Sequence, residues 1–184
     1  TTSMVKGASA DAVIDGDGSP LIAAARQGHL EAMDLLIASG AGVNRGVSGD
    51  GNAITNAARE GHLEAVRLLL QRGADIDAGV PGDGNALIMA AGAGELEVVR
   101  FLLDQGAGLE VVVPGDENAL IHACEGGQPE VVRLLIEPGA NVNARVRAES
   151  GPDGRAEWRT PLSMARRNHH DEVVRILLGA GARE

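Results

Sequence analysis

Residues 80–91 read VPGDGNALIMAA and residues 113–124 read VPGDENALIHAC. The two stretches lie 33 positions apart (113 minus 80) and differ at three places: Gly84 against Glu117, Met89 against His122, and Ala91 against Cys124. Self-similarity at a fixed period of roughly 20–50 residues marks a repeat architecture. The wording extends further, as DGSPLIAAARQGHLEAMDLLIASGA from Asp17, DGNAITNAAREGHLEAVRLLLQRGA from Asp50, DGNALIMAAGAGELEVVRFLLDQGA from Asp83 and DENALIHACEGGQPEVVRLLIEPGA from Asp116. Pro20, Ala53, Ala86 and Ala119 keep step at 33; a fifth copy, RTPLSMARRNHHDEVVRILLGAGA, starts at Arg159, with Pro161 standing 42 after Ala119. Nine additional residues have therefore been inserted before the last copy.

Each unit reads as helix, turn, helix, turn. Ser19, Asn52, Asn85, Asn118 and Thr160 are N-cap residue types, and Pro20 and Pro161 stand at the first helical position. Stepping about 100° per residue from Leu87, Ala90 and Ala91 share its face, while Met89, Gly92 and Ala93 point away. The first helix is thus short with a small-residue buried face, and Gly61 or its equivalents end it. The second helix, such as LEAVRLLLQR from Leu63, places Leu63, Val66, Leu69 and Leu70 on one side. Gly40, Gly73, Gly106, Gly139 and Gly181 stand where a left-handed residue closes that helix, and Pro81-Gly82 and Pro114-Gly115 suit the centre of a type II turn.

The composition fits this plan. Among 184 residues 44% are apolar but only 1% aromatic, with one Trp, one Phe and no Tyr, so the core must be built from aliphatic side chains. No run approaches the ~18 apolar residues of a membrane span, and no signal-peptide pattern opens the chain, so no direct membrane insertion is expected. The single cysteine, Cys124, excludes an internal disulfide. A net charge of −10 argues against nucleic acid as the main partner. That charge is uneven: residues 1–140 carry 8 basic and 20 acidic side chains, residues 141–184 carry 8 and 6.

Taken together, TPL at Thr160, AA at Ala24 and Ala57, GH at Gly28 and Gly61, LLL at Leu68 and GADI at Gly73 resemble the ankyrin repeat. The resemblance covers roughly residues 7–184 and implies an all-α solenoid of stacked helix-turn-helix pairs with β-hairpin-like fingers. Repeats are expected near 17–48, 50–81, 83–114, 116–147 and 159–184, in one domain over 1–184, with an extended finger at 145–159. The sequence departs from the family where T-P-L-H becomes SPLI, NAIT, NALI, NALI and TPLS, and where the fingertips read VPGDGN. The final copy carries Ser163 and Arg166 where others have Ile and Ala or Cys, as a terminal cap would. GASAD from Gly7 aligns with GADID from Gly73, so residues 1–15 read as the tail of a preceding repeat in a longer protein, or else as a half-finger cap.

The candidate chemistry is sparse. Asp17, Asp50, Asp83 and Asp116 form a fingertip column, but neighbouring repeats lie ~10 Å apart, too far for oxygens that must each approach a calcium to ~2.3–2.6 Å. The column reads as turn-forming and solvated, and no metal or cofactor is expected. The same distance excludes His29 and His62 as joint zinc ligands; local hydrogen bonding is expected of them. His122 and Cys124 diverge by about 200° on a helix and cannot pair directly, and Cys124 falls in the buried alanine column. H-E-x-x-H, the P-loop, G-x-G-x-x-G and G-x-S-x-G are all missing. No catalytic function is expected.

The resemblance implies partner binding on a concave surface of fingers and first helices. Here that surface would comprise Asp50, Asp83, Asp116, Glu117, Arg59, Met89, His122 and Glu125, with Met89 and His122 projecting from the exposed helix side alongside Asn56 and Met164. Its acidic edge suggests a basic protein segment bound by a monomer. The inserted stretch adds Trp158 among Arg145, Arg147, Arg155 and Arg159, residue types common at binding hot spots; alternatively Trp158 packs beneath the loop and the arginines pair with Glu149, Asp153 and Glu157. Two other functions stand beside this one. NALIMAA and EWRTPL resemble ankyrin tails of bacterial membrane-embedded zinc metallopeptidases, which implies a regulatory appendage of an enzyme, periplasmic in that case. Self-association through an exposed N-terminal end bearing Ile22 and Ala25 is the third.

Overall fold

The computed structural model describes residues 19–148 and 157–183. The expected tail at 1–15 lies outside them, as do residues 149–156 of the long finger. The described chain forms helix pairs α1 (Pro20–Arg26) with α2 (Leu30–Ala38), α3 (Ala53–Arg59) with α4 (Leu63–Gln71), α5 (Ala86–Ala93) with α6 (Leu96–Asp104), α7 (Ala119–Glu125) with α8 (Pro129–Ile136), and α9 (Pro161–Arg167) with α10 (Asp171–Gly179). Each first helix packs on the first helix of the next pair, and α2, α4, α6, α8 and α10 form a parallel row behind them. The result is a two-layer solenoid.

Caps start and stop these short helices. The side chains of Ser19, Asn52, Asn85, Asn118 and Thr160 each accept a hydrogen bond from the backbone N–H three residues on, at 3.3, 2.9, 2.9, 3.0 and 3.0 Å. A helix of seven residues has few internal hydrogen bonds, so satisfying its orphan N–H groups matters more than in a long one. Gly40, Gly73, Gly106, Gly139 and Gly181 all adopt left-handed backbone where the second helices end.

The core follows the small-residue column. Ala25, Ala57, Ala58, Ala90, Ala91, Ala123 and Cys124 are fully buried between successive first helices. Val66 with Leu69, Val99 with Leu102, and Val132 with Leu135 fill the seam between the two layers. Alanine on the contact face lets neighbouring helices approach closely, so one copied pattern extends the core indefinitely. Ile22 and Ala25, which the self-association reading places on an exposed end, are buried as well.

Short fingers project between the pairs. Strand β1 (Gly46–Val47) pairs antiparallel with β2 (Gly51–Asn52), and Val80 bridges to Gly84 in the next finger. In the last, β3 (Val146–Ala148) pairs with β4 (Glu157–Arg159). Turns at the first three tips close with Asp50, Asp83 and Asp116 N–H donating to the carbonyls of Val47, Val80 and Val113 at 3.0, 2.8 and 2.9 Å. Gly82 and Gly115 supply the positive φ of a type II turn. The third tip lacks the bridge made by the first two. Gly51 and Gly84 take positive φ at the pairing position, with no room for a Cβ. Glu117 stands there instead, in ordinary backbone, and the hairpin opens.

Candidate functional site

The concave surface grows from these tips and the first helices beneath them. Asp50 lies 3.7 Å from the Arg26 guanidinium, and its carbonyl accepts from the Asn56 amide at 2.6 Å. Asp83 reaches back one repeat, its carboxylate accepting from Gly49 N–H at 2.8 Å. Gly82 N–H donates to the Pro114 carbonyl at 2.9 Å, so neighbouring tips are laced together. The aspartate column is therefore part of the stack's own bonding as well as a surface feature.

Asn56 was expected on the exposed side but is buried. It accepts from Arg26 Nε at 3.0 Å while its amide donates to the carbonyls of Asp50 and Asn52. Met164 is buried too. Met89 and His122 are only partly so.

Repeat four differs most. His122 Nε2 hydrogen-bonds to the Asp116 carboxylate and lies 3.2 Å from Glu117. Glu117, itself buried, accepts from Arg159 Nη1 at 2.5 Å. Arg159 Nε continues to Glu157 at 3.1 Å, and Arg167 closes on the same carboxylate at 2.7 Å. One chain of alternating charge thus joins the tip and first helix of repeat four to the long finger and α9. Burial works against a charged His122, but its hydrogen bonds to the Asp116 and Glu117 carboxylates outweigh it and raise its pKa to about 9. Burial likewise opposes ionisation of Glu117, yet its bonds to His122 and Arg159 hold its pKa below the usual carboxylate value. The network is ionic at neutral pH.

Asp116, Glu117 and His122 offer ligand atoms within 4.8 Å of one another, close enough to suggest a metal. In this structure those atoms are engaged with one another and with Arg159: His122 Nε2 faces both carboxylates, and Arg159 Nη1 donates to Glu117. Cys124 adds no chemistry: it is buried, and burial pushes its thiol up to about 12, leaving no thiolate nucleophile.

Beside this network Arg59, Met89, His122 and Glu125 line one shallow groove of about 280 Å³ along the first helices. Arg59 and Met89 are shared with a small cleft that Asp50 and Asp83 complete. Six of the nine expected partner-binding residues therefore line these two adjoining recesses; Asp116 bonds to His122 behind them, and Glu117, expected at the surface, is buried. Trp158 stands apart. It is 57% exposed on the last finger, with the Arg145 guanidinium 4.9 Å from its ring, and lines a separate groove at the end of the stack. It does not pack beneath the loop. Of the suggested arginine partners, Glu157 does bind Arg159, while Glu149 and Asp153 lie outside the described residues.

His62, expected to bond locally, bonds instead across the repeat boundary, as does His170. His62 Nε2 lies 3.1 Å from the Arg26 carbonyl, and His170 Nε2 lies 2.9 Å from the Glu125 carbonyl, each in the preceding repeat. Gln128 makes the corresponding contact to Gly92 at 3.5 Å. Each side chain lies over a positive-φ glycine of the repeat before: His62 on Gly28, Gln128 on Gly94 and His170 on Gly127. They are latches between repeats, a role visible in sequence only as the recurring G-H.

A solenoid of capped helix pairs with interlaced fingertips is the architecture of repeat proteins that present an extended surface. The family description for sets of three ankyrin repeats matches residues 2–80 and 78–146, and that for the single ankyrin repeat matches residues 157–183. The chain belongs to the ankyrin-repeat family. No curated protein matches it. Ankyrin repeats are protein–protein interaction modules and are typically non-catalytic. Among the described residues, no helix is long and apolar enough to cross a membrane.

Proposed function

We propose that this chain binds a partner protein along the concave face of its fingers and first helices, through the groove lined by Arg59, Met89, His122 and Glu125. The observation that carries this reading is where the repeats vary. Structurally equivalent positions read Asn56, Met89 and His122 in one column, the first of them buried, and Arg59, Gly92 and Glu125 in the next, while the buried positions between them stay small and apolar, alanine throughout except for Cys124. Constant residues hold the frame and variable ones supply the surface.

The partner is a basic segment. Asp83 and Glu125 have no ion-pair partner among the described residues, and residues 1–140 are strongly acidic. Asp50 and Asp116 add a fixed rim, held by Arg26 and His122, so binding requires little ordering of these side chains; Glu117 is buried behind it. The test is a charge swap, Arg59→Glu with Glu125→Lys, which keeps the net charge unchanged. Proteins retained by the wild-type chain should lose at least tenfold in affinity against the variant, with helical circular dichroism unchanged, and their association should slow as salt rises. Equal affinity for both chains, or association indifferent to salt, removes the concave face and the basic partner respectively.

A further inference from the structure

The distance that stops neighbouring tips from sharing an ion does not apply inside one repeat. In repeat four, Asp116, Glu117 and His122 bring one ligand atom each to within 4.8 Å of the others. Two of these three are replacements. Repeat three has Asp83, Gly84 and Met89 at the same places, and repeat two has Asp50, Gly51 and Asn56. The aspartate belongs to the common frame, whereas the glutamate and the histidine enter together, in a single repeat, and meet in space. An ion-pair tie to the long finger needs only Glu117 and Arg159. It gives no reason for an imidazole opposite Asp116, since the methionine of repeat three fills that helix position with a core contact.

Each of the three is also held from behind, as the ligands of a metal site are. Asp116 Oδ1 accepts from the Glu117 N–H at 2.9 Å. Glu117 Oε1 takes Arg159 Nη1, which leaves Oε2 towards the imidazole. The His122 ring lies against the preceding repeat, where a Cβ on Gly92 would stand 3.3 Å from Nδ1. The two carboxylate side chains are 8% exposed and His122 is 21% exposed, so the cluster is shielded from water yet open at the imidazole. Its spacing suits zinc. Bonds of about 2.0–2.1 Å at tetrahedral angles set ligand atoms roughly 3.3 Å apart, and His122 Nε2 lies 3.2 Å from Glu117 Oε2. The closer contact of His122 with Asp116 needs to open by only ~1 Å to match. Calcium and magnesium call for about six or more oxygens, which one imidazole and two carboxylates do not supply.

We infer that Asp116, Glu117 and His122 form a zinc-binding site, with Asp116 Oδ1, Glu117 Oε2 and His122 Nε2 as ligands and water in the fourth position. The ion enters in place of the proton on His122 Nε2, which is released as the nitrogen becomes a ligand. Arg159 stays on the far oxygen of Glu117 as a positioning residue. With the ion bound, the fingertip and first helix of repeat four are joined through three ligands to one centre, and the long finger is joined to them through Arg159. The ion needs no partner protein, so this site stands or falls apart from the concave-face reading.

The test is a calorimetric titration of zinc chloride into the chain after removal of metal with a chelator, near neutral pH and without any partner. One ion should bind per chain, saturably, and the bound ion should raise the urea unfolding midpoint. His122→Met, which restores the residue of repeat three, should weaken binding about tenfold or more and abolish the midpoint shift, with helical circular dichroism unchanged. Glu117→Gln, which keeps an acceptor for Arg159, should do the same. His29→Gln, on an exposed turn far along the stack, should leave binding untouched. Calcium or magnesium at about a hundredfold excess should not displace the zinc. The proposal is overturned by the absence of saturable zinc binding, by binding that survives His122→Met, or by displacement at that excess of calcium. Should His122→Met fail to fold, the imidazole resonances of the wild type decide: His122 must be the ring that shifts with zinc, and a shift confined to His29, His62, His169 or His170 overturns the assignment.

Discussion

His122 illustrates how a single replaced residue changes the chemistry of a repeat. Methionine at the equivalent position in repeat three, Met89, packs against the core; histidine in repeat four reaches the carboxylates of Asp116 and Glu117. Because its folded pKa is raised from 6.5 to about 9, the stability it contributes is fully present below pH 6.5 and is lost as pH rises through 9. Glu117 acts in the opposite sense: its folded pKa is depressed, so its contribution is present above 4.5 and lost as pH falls through the folded value. Between 4.5 and 6.5 both contributions to stability are fully present. His122→Gln should therefore cost about 1–3 kcal/mol in urea unfolding at pH 6, and the difference from wild type should close by pH 10. A pH-independent difference would mean that His122 contributes only by packing.

At the scale of the element, the inter-helix turns explain a pattern in glycine use. Gly28, Gly61, Gly94 and Gly127 have positive φ, and a Cβ on any of them would collide with a side chain of the following repeat. The fifth turn has His169 there, also at positive φ, with no following repeat described above it. Gly127→Ala should accordingly cost more than about 1 kcal/mol, because it adds both left-handed strain and a clash with His170. His169→Gly should stay within about 0.5 kcal/mol of the wild type, since relief of the strained backbone offsets the greater freedom glycine has when unfolded. Denaturant midpoints of the two variants decide the matter, and similar costs for both would remove the latch as the reason for glycine.

Across the whole molecule, stability comes from contacts between neighbouring repeats, so equivalent positions differ in value according to whether a neighbour covers them. Ala91 and Arg166 occupy the same place in their helices, yet Ala91 is completely buried and Arg166 is exposed. Ala91→Arg should cost more than about 3 kcal/mol or prevent folding, through overpacking and an unpaired buried charge. Arg166→Ala should change the unfolding midpoint little, within about 0.5 kcal/mol. Were Ala91→Arg tolerated, the stack would have to be far looser at its centre than the buried alanine column implies.

The frame was legible from the chain alone, because its determinants are local and repeated. The N-cap residues, the glycines that end the second helices, the Pro-Gly tip turns and the buried alanine column all act within a few residues of themselves, and copying at 33 residues made the tip turns visible twice and the others four or five times. The changes Gly84 to Glu117 and Met89 to His122 were also visible, as two departures within one repeat. Their meaning was not. Only the tertiary structure brings Arg159, 42 residues along, onto Glu117, buries Asn56 between Arg26 and Asp50, and aims His62 and His170 at carbonyls of the preceding repeat. It alone separates Trp158 from the concave face to which the sequence had attached it. The physical reason is that caps and turns are fixed by backbone geometry over three or four residues. Ion pairs and surface grooves, by contrast, depend on which side chains from different repeats the stacking brings within a few ångströms of each other.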